Sequence, residues 1–343
     1  MSASESRFYF IPRVGPAVQL ESLQQALEAR NTKGYLWIDL VKPDKEILTS
    51  LQEPFELHPL SLEDCLDEGQ IPKIDDYPTN SFINFNSLTY SPAEHQLDVT
   101  EINIFIGEGF LITSRQKNGA NEKFLQTIVQ QHFSRASEDL RQGPAFLLHF
   151  ILDQIVDSKF VAVETLEDEL NEAEDAIMEN LAKFEPSDLL HIRQNLLAVR
   201  KSLFNEREVL VKICRLDCPF ISKKAVFFYR DIYDHLSKFF ELTETSRDLV
   251  TSLMEMYLSM LNNQMTKAAN NTNATVRRLT FITTIFMPLS LLAGIGGMSE
   301  WSMMTGPANW RIAYPVFLGG MVVLGAVNYW LLKRWEKRTQ SQM

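Results

Sequence analysis

Cysteine is scarce. The 343 residues contain three, Cys65, Cys214 and Cys218. An odd number makes no disulfide framework. Cys214-x-x-x-Cys218 has no second pair and no nearby histidine cluster, so a structural zinc site, which takes about four ligands, finds no support. Free thiols in a reducing compartment are the expectation. The start, Met1 to Phe10, lacks both the apolar h-region of a signal peptide and an arginine-rich amphipathic pattern, which places the N-terminus in the cytoplasm. A glycine-rich phosphate loop, a nucleophile elbow and an HExxH pair are all missing, and the six histidines are scattered. Enzymatic chemistry therefore has no foothold. Basic residues are outnumbered, 33 Lys and Arg against 44 Asp and Glu, for a net charge of −11. Nucleic acid, whose phosphates need basic patches, is not an expected partner. The acidic balance suits cation handling, because negative potential concentrates counter-ions. It equally suits an ordinary acidic soluble domain.

Charge is absent altogether from two stretches near the C-terminus, Leu279–Met298 and Ile312–Leu332. A bilayer core of roughly 30 Å takes about 20 apolar residues of helix, so both read as transmembrane spans. Arg277 and Arg278 precede the first; Lys333, Arg334, Lys337 and Arg338 follow the second. The joining segment Ser299–Trp310 has Glu300 and no Lys or Arg. The positive-inside rule then puts both termini in the cytoplasm and the loop outside. Trp301, Trp310, Trp330 and Trp335 stand near the expected interfaces, where indole rings favour headgroups. Two helices cannot enclose an aqueous path, so conduction would require oligomerisation around one of them. In the first span Thr280, Thr283, Met287, Ser290 and Gly294 recur at helical spacing and form one face of hydroxyls and small residues. Such a face fits a helix contact or a water-filled path, and the pattern alone leaves both open. Pro288 sits mid-span, where neighbouring helices can satisfy the carbonyl it frees.

Glycine and proline are missing from Ile221 to Met287. A helix from about Ser222 to Gly297 would reach on the order of 100 Å at about 1.5 Å per residue, long enough to be a cytoplasmic stalk as well as a span. Leu236, Phe240, Leu249, Leu253, Met256 and Met260 give it packing faces. Nearer the membrane it turns to Asn262, Asn263, Asn270, Asn271 and Asn273. An earlier helix, Ala145 to Phe184, has an acidic run (Glu164, Glu167, Asp168, Glu169, Glu172, Glu174, Asp175 and Glu179), with no Lys or Arg from Phe160 to Ala182. Three readings fit that run: a solvated face, a cation store, or a surface neutralised by Arg193, Arg200, Lys201, Arg207 and Lys212 of the next helix. Pro186 and Pro219 mark the turns. Ahead of these lie short aromatic and β-branched runs at Tyr35–Leu40, Ser81–Leu88, Glu101–Ile106 and Gly109–Thr113. Helices are expected at Leu20–Ala29, Lys45–Phe55, Pro59–Leu66 and Asn121–Phe133. The fold class is an α+β cytoplasmic domain, an α/β sandwich, with long stalk helices and two C-terminal transmembrane helices. The division is 1–144 for the α/β domain, 145–276 for the helical stalk and 277–343 for the membrane domain with its basic tail.

Several of these segments resemble the CorA family of magnesium transporters. The core TIFMPLSLLAGI at Thr284–Ile295, with a short loop and a second span, looks like the family's membrane end. YRDIYDHL at Tyr229–Leu236 and YLS at Tyr257–Ser259 resemble its stalk helix, and FELHPLSLEDCLDEGQIPKIDDY at Phe55–Tyr77 resembles part of its cytoplasmic domain. The resemblance covers nearly the whole chain. It implies a funnel-shaped homopentamer with five first-span helices around the pore, and divalent-cation flux that closes when cytoplasmic cation binds between subunits. It places Asn273, Leu279, Thr283, Met287 and Ser290 on pore-lining positions and Asp231 on a carboxylate that binds the regulatory cation, with no partner carboxylate assigned.

At the outer mouth the chain departs from the family. Gly297-Met298-Ser299 stands where the family has Gly-Met-Asn, and Gly296 replaces the usual aromatic residue before it. Mg²⁺ dehydrates reluctantly, and a ring of amide carbonyls can bind its waters. Serine makes a wider, weaker ring, which Glu300 can supplement by charge. The expected function is a CorA-type channel or transporter for divalent cations, Mg²⁺ foremost, with Co²⁺, Ni²⁺ or Zn²⁺ as other cargo, gated by cytoplasmic cation. Cation enters past Ser299 and Glu300, passes Gly294, Ser290, Met287, Thr283 and Thr280, and leaves by Asn273. A non-conducting cation sensor or membrane scaffold is the alternative that the altered mouth allows. No covalent cofactor is expected, the cation being both cargo and regulator. The partners are membrane lipid and further copies of the chain, and the location is the cell's inner membrane.

Overall fold

The computed structural model describes residues 6–30, 32–67, 69–116, 140–181, 183–297, 306 and 309–340, with 310 and 335–340 described by backbone alone. The chain divides into two units, residues 1–257 and 258–343. The contact boundary thus falls within the long helix expected from the sequence.

The first unit is built on a seven-stranded sheet. Its strands are β1 (Arg7–Pro12), β2 (Val18–Leu20), β3 (Gly34–Val41), β4 (Lys73–Asp76), β5 (Asn80–Ser91), β6 (Gln96–Gly107) and β7 (Phe110–Arg115), in the order β2-β1-β3-β7-β6-β5-β4. Only β3 and β7 run parallel; every other pair is antiparallel. The four expected strands are present, each extended at one or both ends. The three that composition did not announce lie toward the edges. β1 pairs on both sides but ends in proline, β2 has three residues, and β4 is Lys-Ile-Asp-Asp. Charge on an edge strand blocks pairing with another chain, so it hides the strand from a hydrophobicity reading. In β4 the charges are also tied inward: Lys73 pairs with Asp64 at 2.7 Å and Lys212 with Asp76 at 2.6 Å.

Short helices α1 (Leu23–Ala29), α2 (Lys45–Phe55) and α3 (Pro59–Asp64) complete the sheet's cover. The expected helix from Leu20 starts three residues later, because Leu20 closes β2 and Ser22 caps α1. Asp44 caps α2 by accepting from the Ile47 N–H at 2.8 Å, and Glu56 ends it in the left-handed region at φ 51°. His58 caps α3 and stacks on Tyr77, centroids 4.6 Å apart. Leu36, Ile38 and Leu40 of β3 form the core with Leu48, Leu51 and Phe55 of α2. The expected helix Asn121–Phe133 lies outside the described residues.

Three long helices follow: α4 (Pro144–Glu179), α5 (Pro186–Cys214) and α6 (Val226–Gly296). Proline opens both α4 and α5, at a position where its missing N–H costs nothing. α4 packs on β5 and along α5. Among the described residues no ion pair joins the acidic run of α4 to the basic residues of α5. Among the described residues, Arg200 pairs with Glu244 of α6 and Lys212 with Asp76 of β4. Within the run, Glu167 accepts from Ser246 and Glu169 from Tyr90. The three cysteines are free thiols, two of them buried.

One buried ion pair joins the layers. Lys159 of α4 and Glu206 of α5 are both fully buried and bonded to each other. Glu206 also accepts from the Asn86 N–H at 2.9 Å and the Ser202 hydroxyl at 3.1 Å, and Lys159 lies 4.7 Å from the Phe85 ring centroid. Burial pushes the Lys159 ammonium down and the Glu206 carboxyl up, against their mutual attraction. Removing one partner strands the other, at a cost of about 3–5 kcal/mol. Lys159→Met should therefore lower the denaturation midpoint sharply. Lys159→Met with Glu206→Gln should recover most of the loss, since Gln still accepts from Asn86. Chemical denaturation of the three proteins, followed by circular dichroism, checks this.

The second unit holds the rest of α6 and helix α7 (Trp310–Gln340). Residues 279–296 of α6 and 311–334 of α7 are each long and apolar enough to cross a membrane, as expected. α7 begins two residues earlier than the expected span and includes Arg311, a positive charge at the end assigned to the outside. Six basic residues still flank the opposite ends. There Lys333 lies over Tyr329 and Arg334 over Trp330, at 5.7 and 5.2 Å, consistent with an interfacial anchor.

Candidate functional site

The first candidate site is the membrane-spanning part of α6. Phe281, Ile285, Pro288, Leu289, Leu292 and Gly296 are half-buried there, spaced three or four residues apart along one stripe. α7 covers that stripe. A Cβ built on Gly296 would lie 2.8 Å from the Phe317 ring, and one on Gly325 of α7 would lie 3.5 Å from Leu289. At about 100° per residue the opposite stripe holds Thr280, Thr283, Met287, Ser290 and Gly294, with Asn273 in line two turns earlier. All six are exposed in the single chain. Leu279 is exposed too, at the margin of this face.

The chemistry of the face follows from its hydroxyls. Thr280 donates its proton to the Val276 carbonyl at 2.9 Å, and Thr283 donates to Leu279 at 3.1 Å and Thr280 at 3.0 Å. A hydroxyl whose proton is returned to its own helix presents lone pairs outward. The stripe thus presents acceptors at Thr280 and Thr283, followed by the apolar Met287, which is 75% exposed. Acceptors suit the waters of a hydrated cation. At the mouth, Gly297 continues from the helix through an N–H bond to the Ala293 carbonyl at 3.0 Å. Met298, Ser299 and Glu300 lie outside the described residues.

The second candidate is a carboxylate cluster in the first unit. Asp153 and Asp157, one turn apart on α4, meet His235 of α6, and one ligand atom from each lies within 4.8 Å of the others. His235 Nδ1 is buried without a hydrogen-bond partner among the described residues. Asp231, the carboxylate expected from the sequence, stands one turn before His235 and is near enough to Asp153 to raise its carboxyl electrostatically. Burial is the larger cause of that rise; His235 opposes it. The Asp157 carboxyl is likewise raised, by burial first and then by Asp153. Two carboxylates held against their preference, beside an unpaired imidazole nitrogen, fit a divalent cation. The sequence reading missed Asp153, Asp157 and His235. The signal was the repeated i, i+4 spacing, Asp-x-x-x-Asp on one helix and Asp-x-x-x-His on another.

The comparisons give the family and the fold. The family described as CorA-like Mg²⁺ transporter protein matches residues 32–334. The chain belongs to that family. The cobalt/magnesium transport protein CorA of Thermotoga maritima is 30% identical over 316 residues, which are 91% of this chain and 87% of that protein. Its namesake in Methanocaldococcus jannaschii is 28% identical over 264 residues, 77% of this chain and 80% of that one. The complete structure of the CorA magnesium transporter from Methanocaldococcus jannaschii aligns with a TM-score of 0.72 at 24% identity, covering 97% of this chain and 99% of that one. The CorA architecture of α/β domain, long helix and two C-terminal apolar helices is therefore this chain's own. CorA is a family of membrane transporters, in keeping with the absence of an enzyme motif from the sequence.

Proposed function

We propose that this CorA-family chain is a divalent-cation channel or transporter of the inner membrane, with both termini in the cytoplasm. Mg²⁺ is its foremost cargo, and Co²⁺, Ni²⁺ or Zn²⁺ are further ones. The observation that carries this reading is the acceptor stripe of the first span, which faces away from α7. A polar face exposed to lipid is costly, so further copies must cover it. A ring of such helices, five by resemblance to the family, encloses a path lined by Asn273, Thr280, Thr283, Met287, Ser290 and Gly294. Met287 is its narrow apolar element, able to close by dewetting. Gly297, Met298, Ser299 and Glu300 form the outer mouth. Asp231, with Asp153, Asp157 and His235 beside it, binds cytoplasmic cation and regulates flux. By element type the chain divides at 144/145 and 276/277 into α/β, stalk and membrane parts.

Purified protein in liposomes should take up Mg²⁺, and the absence of flux for Mg²⁺, Co²⁺, Ni²⁺ and Zn²⁺ alike would sink the transport reading. The mouth makes a second, smaller prediction. Ser299→Asn restores a longer amide acceptor, so the variant should conduct with a changed order of preference among these ions. A silent parent with a conducting variant would instead favour a sensor.

A further inference from the structure

The segment Phe55–Tyr77 walls a cavity that transport leaves unused. This cavity of about 470 Å³ lies between the loop after α3, strands β5 and β6, and α5. Sites for small molecules run from about 300 to 1,000 Å³. The floor is polar. Asn86 of β5 and Glu101 of β6 are register partners. Asn86 is only 7% exposed, and its Oδ1 has no hydrogen-bond partner among the described residues. A buried carboxamide oxygen left in that state is unfavourable until something donates to it. The backbone beneath it is fixed, because the Asn86 N–H donates to Glu206. Glu101 is anchored too: its Oε1 accepts from the N–H groups of Gly69 and Gln70, the latter at 2.9 Å. Lys201 of α5 lines the same cavity, exposed, and is the sole cation among the described residues of the wall.

An unfilled carboxamide acceptor beside an anchored carboxylate selects a ligand with N–H donors on one edge. Asparagine pairs with the N6 and N7 edge of adenine, and a carboxylate accepts from an exocyclic amino group. Lys201 at the rim suits a phosphate as a point charge. Asp67 on the same wall opposes a larger anion and favours one phosphate over three. We propose that this cavity binds an adenosine monophosphate-type ligand, with the base on Asn86 and Glu101 and the phosphate toward Lys201. The contact from Asn86 to Glu206, and through it to Lys159, ties the floor to α4 and α5.

Calorimetric titration of the full chain in nanodiscs, independent of any flux, tests this with AMP, IMP and inorganic phosphate as probes. AMP should bind, and IMP, with an oxo group replacing the amino group, should bind at least about tenfold more weakly. Lys201→Glu should weaken AMP binding by at least about tenfold with no change in melting temperature, because the side chain is exposed. Asn86→Asp should widen the preference for AMP over IMP, because a carboxylate still accepts from the amino group but has no N–H to turn toward the oxo group. Equal affinity for AMP and IMP, phosphate binding as well as AMP, binding unmoved by Lys201→Glu, or no AMP binding at millimolar concentration would each overturn the proposal, the last leaving a cavity filled with water alone. Lys201→Glu keeps the test decisive should Asn86→Asp fail to fold.

Discussion

Gly294→Phe is expected to stop divalent flux. In the single chain a Cβ at Gly294 meets nothing within 4 Å, so the substitution disturbs no contact inside the protomer. Its position is the C-terminal end of the exposed stripe, directly away from the half-buried residues that meet α7. If copies assemble around that stripe, a phenyl ring from each narrows and dries the same level of the path. Flux should then fall about a hundredfold or to the liposome background, as an apolar constriction gates by dewetting. The control is Gly320→Phe on α7. That glycine is equally open, with nothing within 4 Å of an added Cβ, but it lies on α7, the helix that covers the opposite stripe of α6. Gly320→Phe should keep most of the flux. Circular dichroism and the mass of the detergent-solubilised assembly must be unchanged in both. Equal flux through the two variants would remove the acceptor stripe from the path.

The sequence made the membrane unit legible because hydrocarbon imposes a simple demand. Uncharged runs of helical length have few other uses, and Leu279–Met298 is nearly the end of α6 as folded. The orientation of the polar stripe was readable from helical spacing, since period alone decides which side chains share a face. Which face α7 covers was not readable, because that depends on contacts between the two helices such as Gly296 against Phe317. In the sheet, β3, β5, β6 and β7 were visible as aromatic and β-branched runs. β4 was not, because its Lys73, Asp75 and Asp76 serve pairing at an edge and ion pairs with α3 and α5. The acidic run drew attention by density, yet the carboxylates that converge lie outside it, at Asp153 and Asp157. Convergence is a long-range property: His235 meets them across nearly 80 residues. Asp231 came from resemblance to the stalk segment and not from any pattern of charge. Met298, Ser299 and Glu300 were named from the sequence and lie outside the described residues, so the mouth rests on sequence alone.

Asp153→Asn with Asp157→Asn should free the protein from inhibition by cytoplasmic Mg²⁺. With two ligand oxygens replaced by weaker amide acceptors, the half-inhibiting Mg²⁺ concentration on the inside of proteoliposomes should rise by about tenfold or more, a loss of about 1.4 kcal/mol or more in binding. Stability gives an independent reading. A ligand that binds only the folded state at about 100 times its Kd adds roughly 2.7 kcal/mol, so Mg²⁺ should raise the melting temperature of the parent and leave that of the variant nearly unchanged. Without metal the order inverts. Both carboxyls are raised, by burial foremost, with Asp231 adding to the rise at Asp153 and Asp153 to that at Asp157. A carboxyl with a raised folded-state pKa destabilises the fold when ionised, and that cost disappears as pH falls through the raised value. The metal-free variant should therefore melt above the parent at pH 7. The parent should gain on the variant as pH falls below neutrality toward the ordinary carboxylate range, and saturating Mg²⁺ should suppress that gain by holding both groups ionised. The two readouts separate binding from gating. A variant that loses the Mg²⁺-dependent melting shift but is still inhibited from inside would place the cluster outside the regulatory path. A variant that keeps both would show that Asp153 and Asp157 hold no cation at all.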